Sequence, residues 1–198
     1  MELRDTLDRY GILSRAFHWT IALLIAVAVP LGLWAASIGA QNTDVHQKLL
    51  RESVLFWHKS VGLTVLFLSI VRVAWRLRSA APPLPVELSR VNRVAAKAVH
   101  VLLYVLILGL PVTGILLSQA AGFPVSFFGL FSLPVFVHAD IAVPVLQRPN
   151  VLAGILLHKS ILPTVLYITL SLHVLALLTH HFVSGNKSIW SRMSVFSR

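Results

Sequence analysis

The sequence predicts an all-α integral membrane protein: one domain, residues 1–198, folded as a four-helix bundle with both termini in the cytoplasm. Three observations carry that expectation. The 198 residues are 57% hydrophobic and only 12% charged, with a mean hydropathy of +0.81, about half the charged fraction of a soluble domain. Four apolar runs reach the roughly 20 residues that cross a bilayer. The basic residues fall unevenly on the segments between those runs, as they do where short loops set membrane orientation.

The first span covers about residues 16–36. The leader before it, MELRDTLDRYGILSR, contains acids. The run is also longer than the roughly 7–15 residues of a signal-peptide core. Ala35-Ala36-Ser37 is therefore read as part of a span and not as a cleavage site. His18 and Trp19 stand at its entry, Trp19 in the position of an interfacial belt residue. A polar loop with His46, Lys48 and Arg51 leads to the second span, about 54–75, which holds His58 near its start and Arg72 and Arg76 at its exit. Pro82, Pro83 and Pro85 mark the next connection as a loop. The third span covers about 94–118, with Lys97 and His100 early in it. Pro111 and Gly114 permit a kink there, because a bundle re-satisfies the backbone groups that proline frees.

Residues 119–152 contain Phe123, Phe127, Phe128, Phe131 and Phe136 together with Pro124, Pro134, Pro144 and Pro149. The segment is too broken for a span and too apolar for a free loop. It is expected to be a periplasmic interfacial segment of short amphipathic pieces lying on the bundle or in the headgroups. The fourth span covers about 153–182, and a polar tail follows.

With four spans, one side of the membrane carries Arg4, Arg9, Arg15, Arg72, Arg76, Arg78, Arg90, Arg93, Lys97, Lys187, Arg192 and Arg198. The other carries only Lys48, Arg51, Lys59, Arg148 and Lys159. The positive-inside rule puts the first side, and both termini, in the cytoplasm. The net charge of +10 is thus a topology signal, and no nucleic-acid partner is expected. The absence of cysteine excludes iron–sulfur clusters, covalent c-type haem, disulfides and thiolate copper sites.

Histidine is then the remaining metal ligand, and the histidines sort by depth. His58 and His158 stand near the outer ends of spans two and four. His18 and His173 stand toward the cytoplasmic side in spans one and four. In a regular helix the fifteen steps from His158 to His173 advance roughly 22 Å and leave about 60° of rotation, so both rings project from nearly one face. Each depth therefore draws one imidazole from each of two helices, as cofactor sites in bundles do. Two imidazoles make a poor zinc site, which needs three or four protein ligands. All seven acids lie outside these depths. Two trans imidazoles do suit six-coordinate haem iron, whose macrocycle supplies the other four ligands. With both axial positions filled, such an iron carries single electrons and does not bind oxygen.

Arg15, Lys59 and Lys159 stand beside the proposed ligands as partners for haem propionates. Lys59 and Lys159, with Lys48 and Arg51, also form an outer basic rim that would attract an anion. The plainer reading of such lysines is snorkelling to lipid phosphate. A lone membrane histidine equally serves as a hydrogen-bond donor between helices. His100 has the depth to compete with His18 for His173, or to contact a quinone. His180 and His181 fall at the interface, and His46 and His138 in outer loops. A histidine-lined metal or proton transporter without haem is the third class the pattern allows.

Phe17-His18-Trp19 entering span one, Trp57-His58 followed by Gly62 in span two, and His158, Leu172-His173 and Thr179-His180-His181 in span four resemble the prokaryotic cytochrome b561 family, over about residues 10–190. The resemblance implies two haems b in a multi-pass protein of the bacterial inner membrane, with His18, His58, His158 and His173 as axial ligands. It implies electron exchange with ubiquinone. The best-understood member type takes the electron from superoxide at the periplasmic face. Related cytochrome b subunits instead pass electrons from a periplasmic dehydrogenase or hydrogenase to quinone. The long Phe- and Pro-rich segment at 119–150 departs from the short family form.

Overall fold

The computed structural model describes residues 2–79, 82–83, 89–179, 182 and 192–193; His180 and His181 lie outside them. Among the described residues four helices are long and apolar enough to cross a membrane: α1 (Ile12–Ile38), α2 (Val45–Arg78), α3 (Arg90–Ala120) and a fourth span, Pro149–Leu178. The fourth is built from α4 (Pro149–Ile155), a π-helical turn (Leu156–Ile161) and α5 (Leu162–Leu178).

The helices begin outside the apolar runs because their caps do. The Asp44 carboxylate accepts from the backbone N–H groups of His46 at 2.8 Å and Gln47 at 3.3 Å. It satisfies donors that the first turn leaves orphaned, so α2 starts at Val45 and not near Val54. The Ser89 hydroxyl does the same for Asn92 at 3.1 Å, starting α3 at Arg90. At 34 residues, α2 runs about 51 Å, well past a hydrocarbon core of roughly 30 Å. Its ends therefore stand among headgroups.

Helix α2 is the most deeply buried of the four spans. A third of its most apolar stretch is buried (33%), against 11% in each of the other three spans. Val54, Val61 and Val65 share its buried stripe with Ser60 and Ser69, both fully buried. The small serines let neighbouring backbones approach. Closely packed pairs are α1 with α2, α2 with α3, and α3 with α4 and α5. At the end of the bundle that carries the N-terminus, Trp75 Nε1 donates to Ser14 Oγ at 2.9 Å, and Trp19 Nε1 donates to the carbonyl of Met193 at 2.9 Å.

The fourth span departs from the regular helix expected of it. Pro163 has no N–H and its ring crowds the carbonyl four residues back, and the chain widens into a π turn immediately before it. His158 sits inside that turn. The rotation computed for a regular helix thus does not apply between His158 and His173.

The segment after α3 is folded onto the opposite end of the bundle. The Gln119 amide donates to the carbonyl of Pro134 at 2.8 Å and accepts from the N–H groups of Phe136 and Val137 at 2.8 and 3.3 Å. Strands β1 (Ser126–Phe127) and β2 (Phe131–Ser132) pair antiparallel. The turn between them places Phe128 at φ 49° and Gly129 at φ 75°. For a bulky residue the left-handed region costs about 1–2 kcal/mol. Two contacts to α2 offset it: Phe128 N–H donates to Ser60 Oγ at 3.0 Å, and its ring meets Trp57 edge-on at 5.9 Å. Arg148, read from the sequence as an orientation signal, is buried and acts as a clasp. Its Nε donates to Val143 O at 2.8 Å and a terminal nitrogen donates to Ala120 O at 3.2 Å, tying the end of the segment to the end of α3.

Candidate haem sites

Two histidine pairs stand at two depths, each joining helices that are not closely packed against one another. At the hairpin end, His58 of α2 faces His158 of the π turn, with ring centres 6.1 Å apart and planes at 70°. Toward the terminal end, His18 of α1 faces His173 of α5, at 6.3 Å and 88°. A metal–imidazole bond is about 2 Å, and a ring centre lies roughly 1 Å beyond its nitrogen. Two imidazoles trans to one metal therefore have centres about 6 Å apart, and both pairs fit. No group of three or more His, Cys, Asp or Glu among the described residues is arranged to hold a metal ion. A metal at either pair would thus take its remaining ligands from outside the protein, which is what a porphyrin supplies.

The hairpin-end pair is fixed by the neighbouring backbones. His58 Nδ1 lies 2.9 Å from the carbonyl of Ala28, and His158 Nδ1 lies 2.8 Å from the carbonyl of Leu110, with Thr113 Oγ1 at 3.3 Å. A carbonyl only accepts, so each Nδ1 carries the proton and donates. Each Nε2 keeps its lone pair, the arrangement that orients a ligating imidazole. Both rings are only partly accessible.

The other pair is different. The Arg72 guanidinium lies 3.1 Å from His18 Nδ1. Arginine only donates, so this contact engages the Nδ1 lone pair. For His18 to hold a metal through Nε2, that nitrogen would have to be unprotonated and Nδ1 would carry the proton, with Arg72 turned off it but still beside the ring. Arg72 also lies over the Tyr104 ring, 5.7 Å from its centre. His100 joins the cluster edge-on to His173 at 5.1 Å, too close for a metal bound trans between them. Its Nδ1 donates to the carbonyl of Ala96 at 2.6 Å, one turn back on its own helix.

The lysines part company. Lys59 Nζ donates to the carbonyl of Pro124 at 3.4 Å and lies 5.9 Å from the centre of the Phe123 ring, so it holds the folded segment down. Lys159 is exposed. Arg15 is buried in the first turns of α1. Sequence reasoning had no signal for the carbonyls of Ala28 and Leu110, since every residue carries one. Arg72 did carry a signal that orientation absorbed: a cation within a span whose partners are an imidazole and an aromatic ring.

Residues 9–194 match the family described as prokaryotic cytochrome b561. The chain is similar to cytochrome b561 homolog 2 of Escherichia coli (strain K12), 36% identical over 135 residues, which is 68% of each chain. It is also similar to the probable superoxide oxidase CybB of Yersinia pestis, 26% identical over 190 residues, 93% of this chain and 96% of that one.

Proposed function

The chain belongs to the prokaryotic cytochrome b561 family of haem b electron carriers, multi-pass proteins of the bacterial inner membrane, and from that membership we propose that it oxidises superoxide at the periplasmic face and reduces ubiquinone. The observation that supports this most is the His58–His158 pair, spaced for one metal and with each Nδ1–H already committed to a helix carbonyl.

In this reading His58 and His158 would hold an outer haem b, and His18 and His173 an inner one. Bound haem supplies one-electron chemistry. The protein's part would be to hold the two centres at fixed depths, each between two imidazoles, and to set the charge around them. Two superoxide ions lose one electron each and leave as oxygen; one ubiquinone takes both electrons and two protons. Exposed Lys159, with Arg51 and Lys48, raises the local concentration of the anion at the outer face. Arg72 sets a positive charge beside the inner pair, and Arg15 joins it as a counter-charge for propionates. His100, exposed beside His173, offers a polar contact for a quinone head. Both termini lie in the cytoplasm, and residues 119–152 lie at the periplasmic interface.

One observation favours a second reading. The folded segment presents exposed Leu130, Phe131 and Phe136 at the hairpin end, a surface of the kind on which a periplasmic dehydrogenase docks and passes electrons through the same haems. Stopped-flow mixing with superoxide in ubiquinone-loaded vesicles separates the two. The superoxide reading requires rapid haem reduction followed by ubiquinol formation. Haems that stay oxidised, in a protein that co-purifies with a redox subunit, would select the second.

A further inference from the structure

The backbone on which each hairpin-end histidine rests carries a glycine four residues further on. His58 meets the carbonyl of Ala28, and the next turn of α1 is Gly32. His158 meets the carbonyl of Leu110, and the next turn of α3 is Gly114. In an α-helix every Cα–Cβ bond tilts toward the N-terminus, so the side chain of residue i+4 overlies the turn that presents the carbonyl of residue i. An imidazole that reaches such a carbonyl from a neighbouring helix enters that space. A methyl carbon placed on Gly32 would lie 2.8 Å from Cε1 and 3.1 Å from Nδ1 of His58. One placed on Gly114 would lie 2.7 Å from Cε1 and 3.2 Å from Nδ1 of His158. Both rings are pinned by their hydrogen bonds and cannot withdraw without giving them up.

The other span glycines do not face a histidine: a methyl on Gly154 would meet Leu117, 2.8 Å from its Cβ, which is helix-to-helix packing. Only Leu162 Cδ1, at 4.0 Å, meets a methyl on Gly109. Nor does either helix need these glycines for its backbone, since neither has a positive φ.

We infer that Gly32 and Gly114 are positioning residues for the outer haem: each is the seat that lets a ligand histidine hydrogen-bond to a helix carbonyl and so fixes which nitrogen meets the iron. Two unrelated helices supply the same carbonyl-then-glycine seat, one for each side of a single site. A glycine at these places is therefore required by the ligand and not by a kink. The inference rests on the haem reading above.

The test is Gly32→Ala and Gly114→Ala in the full-length protein, with Gly109→Ala as the control. Haem per chain, the low-spin EPR signals and a redox titration are read for each. With two haems in the wild type, each seat variant is expected to lose about half its haem, or to keep it with a displaced EPR signal and midpoint for one centre. The second centre stays as in the wild type and reports that the bundle is folded. The control keeps both centres unchanged. Wild-type signals for both centres in Gly32→Ala and Gly114→Ala would overturn the inference, as would parallel loss of both haems in both variants, which marks a general packing role. A wild type without two haems overturns the haem reading itself.

Discussion

The Arg72 guanidinium lies 3.1 Å from Nδ1 of His18, which makes the two histidine pairs electrostatically unequal. Both imidazoles at the hairpin end have their Nδ1 protons held by carbonyls; at the other end a full positive charge stands beside the ring. A cation favours the reduced, less positive state of a nearby haem. Removing it by Arg72→Gln is expected to lower the midpoint of the inner haem. An effective dielectric near 20 and a separation of several ångströms make the shift roughly 50–100 mV. The outer midpoint stays in place. Redox titration of the two centres reads this directly, and an upward or absent shift in the inner one contradicts it.

Ligand loss is expected to be side-specific. His58→Ala or His158→Ala removes the outer haem and spares the inner; His18→Ala or His173→Ala does the reverse. His100→Ala retains both, since its ring is too close to His173 for a shared trans metal. Separate redox titration of the five variants measures it. Loss of a haem in His100→Ala with retention in His18→Ala would move the inner ligand to α3.

The ring planes give a spectroscopic expectation. Both pairs are steeply crossed, at 70° and 88°, which leaves the iron d orbitals that face the imidazoles nearly degenerate. Both oxidised haems are then expected to show strongly anisotropic low-spin EPR signals. Ordinary rhombic spectra would report parallel rings.

Much of this was legible in the sequence, because the signals were one-dimensional. Run length defines a span, and depth along a span pairs His58 with His158 and His18 with His173. What was not legible depends on contacts between helices. The π turn at His158 follows from Pro163, yet only its neighbours decide whether a proline kinks, ends or widens a helix. The start of α2 at Val45 rests on Asp44, a cap outside the apolar run. The fold of 119–152 rests on Gln119, Ser60 and Arg148, three polar side chains that composition alone assigns to solvent or lipid headgroups.

Ser60 supports that segment from within α2. Its hydroxyl donates to Ser126 O at 3.4 Å and accepts from Phe128 N–H at 3.0 Å. Ser60→Ala leaves a part-buried N–H without its partner, at a cost of about 1–3 kcal/mol, and it removes one of two contacts that hold Phe128 at φ 49°. Faster proteolysis and hydrogen exchange are expected within 123–137, with both haems retained. Unchanged protection there would show that Gln119 and Arg148 suffice.

The lysines are expected to separate under salt. Steering of an anion weakens as the Debye length falls from about 30 Å at 0.01 M to about 10 Å at 0.1 M. Lys159→Gln should slow haem reduction by superoxide and flatten its salt dependence. Lys59→Gln should act less on the salt slope, because its ammonium is engaged with Pro124 and Phe123. Stopped-flow rates across a salt series compare them; equal slopes in wild type and Lys159→Gln would remove that residue from the encounter.

The most direct measurement of the whole account is haem stoichiometry. A pyridine haemochrome assay on the purified chain, with protein quantified independently, should return two b-type haems per chain, falling to one in His58→Ala and to one in His173→Ala. One haem or none in the wild type, or two retained in either variant, would contradict it.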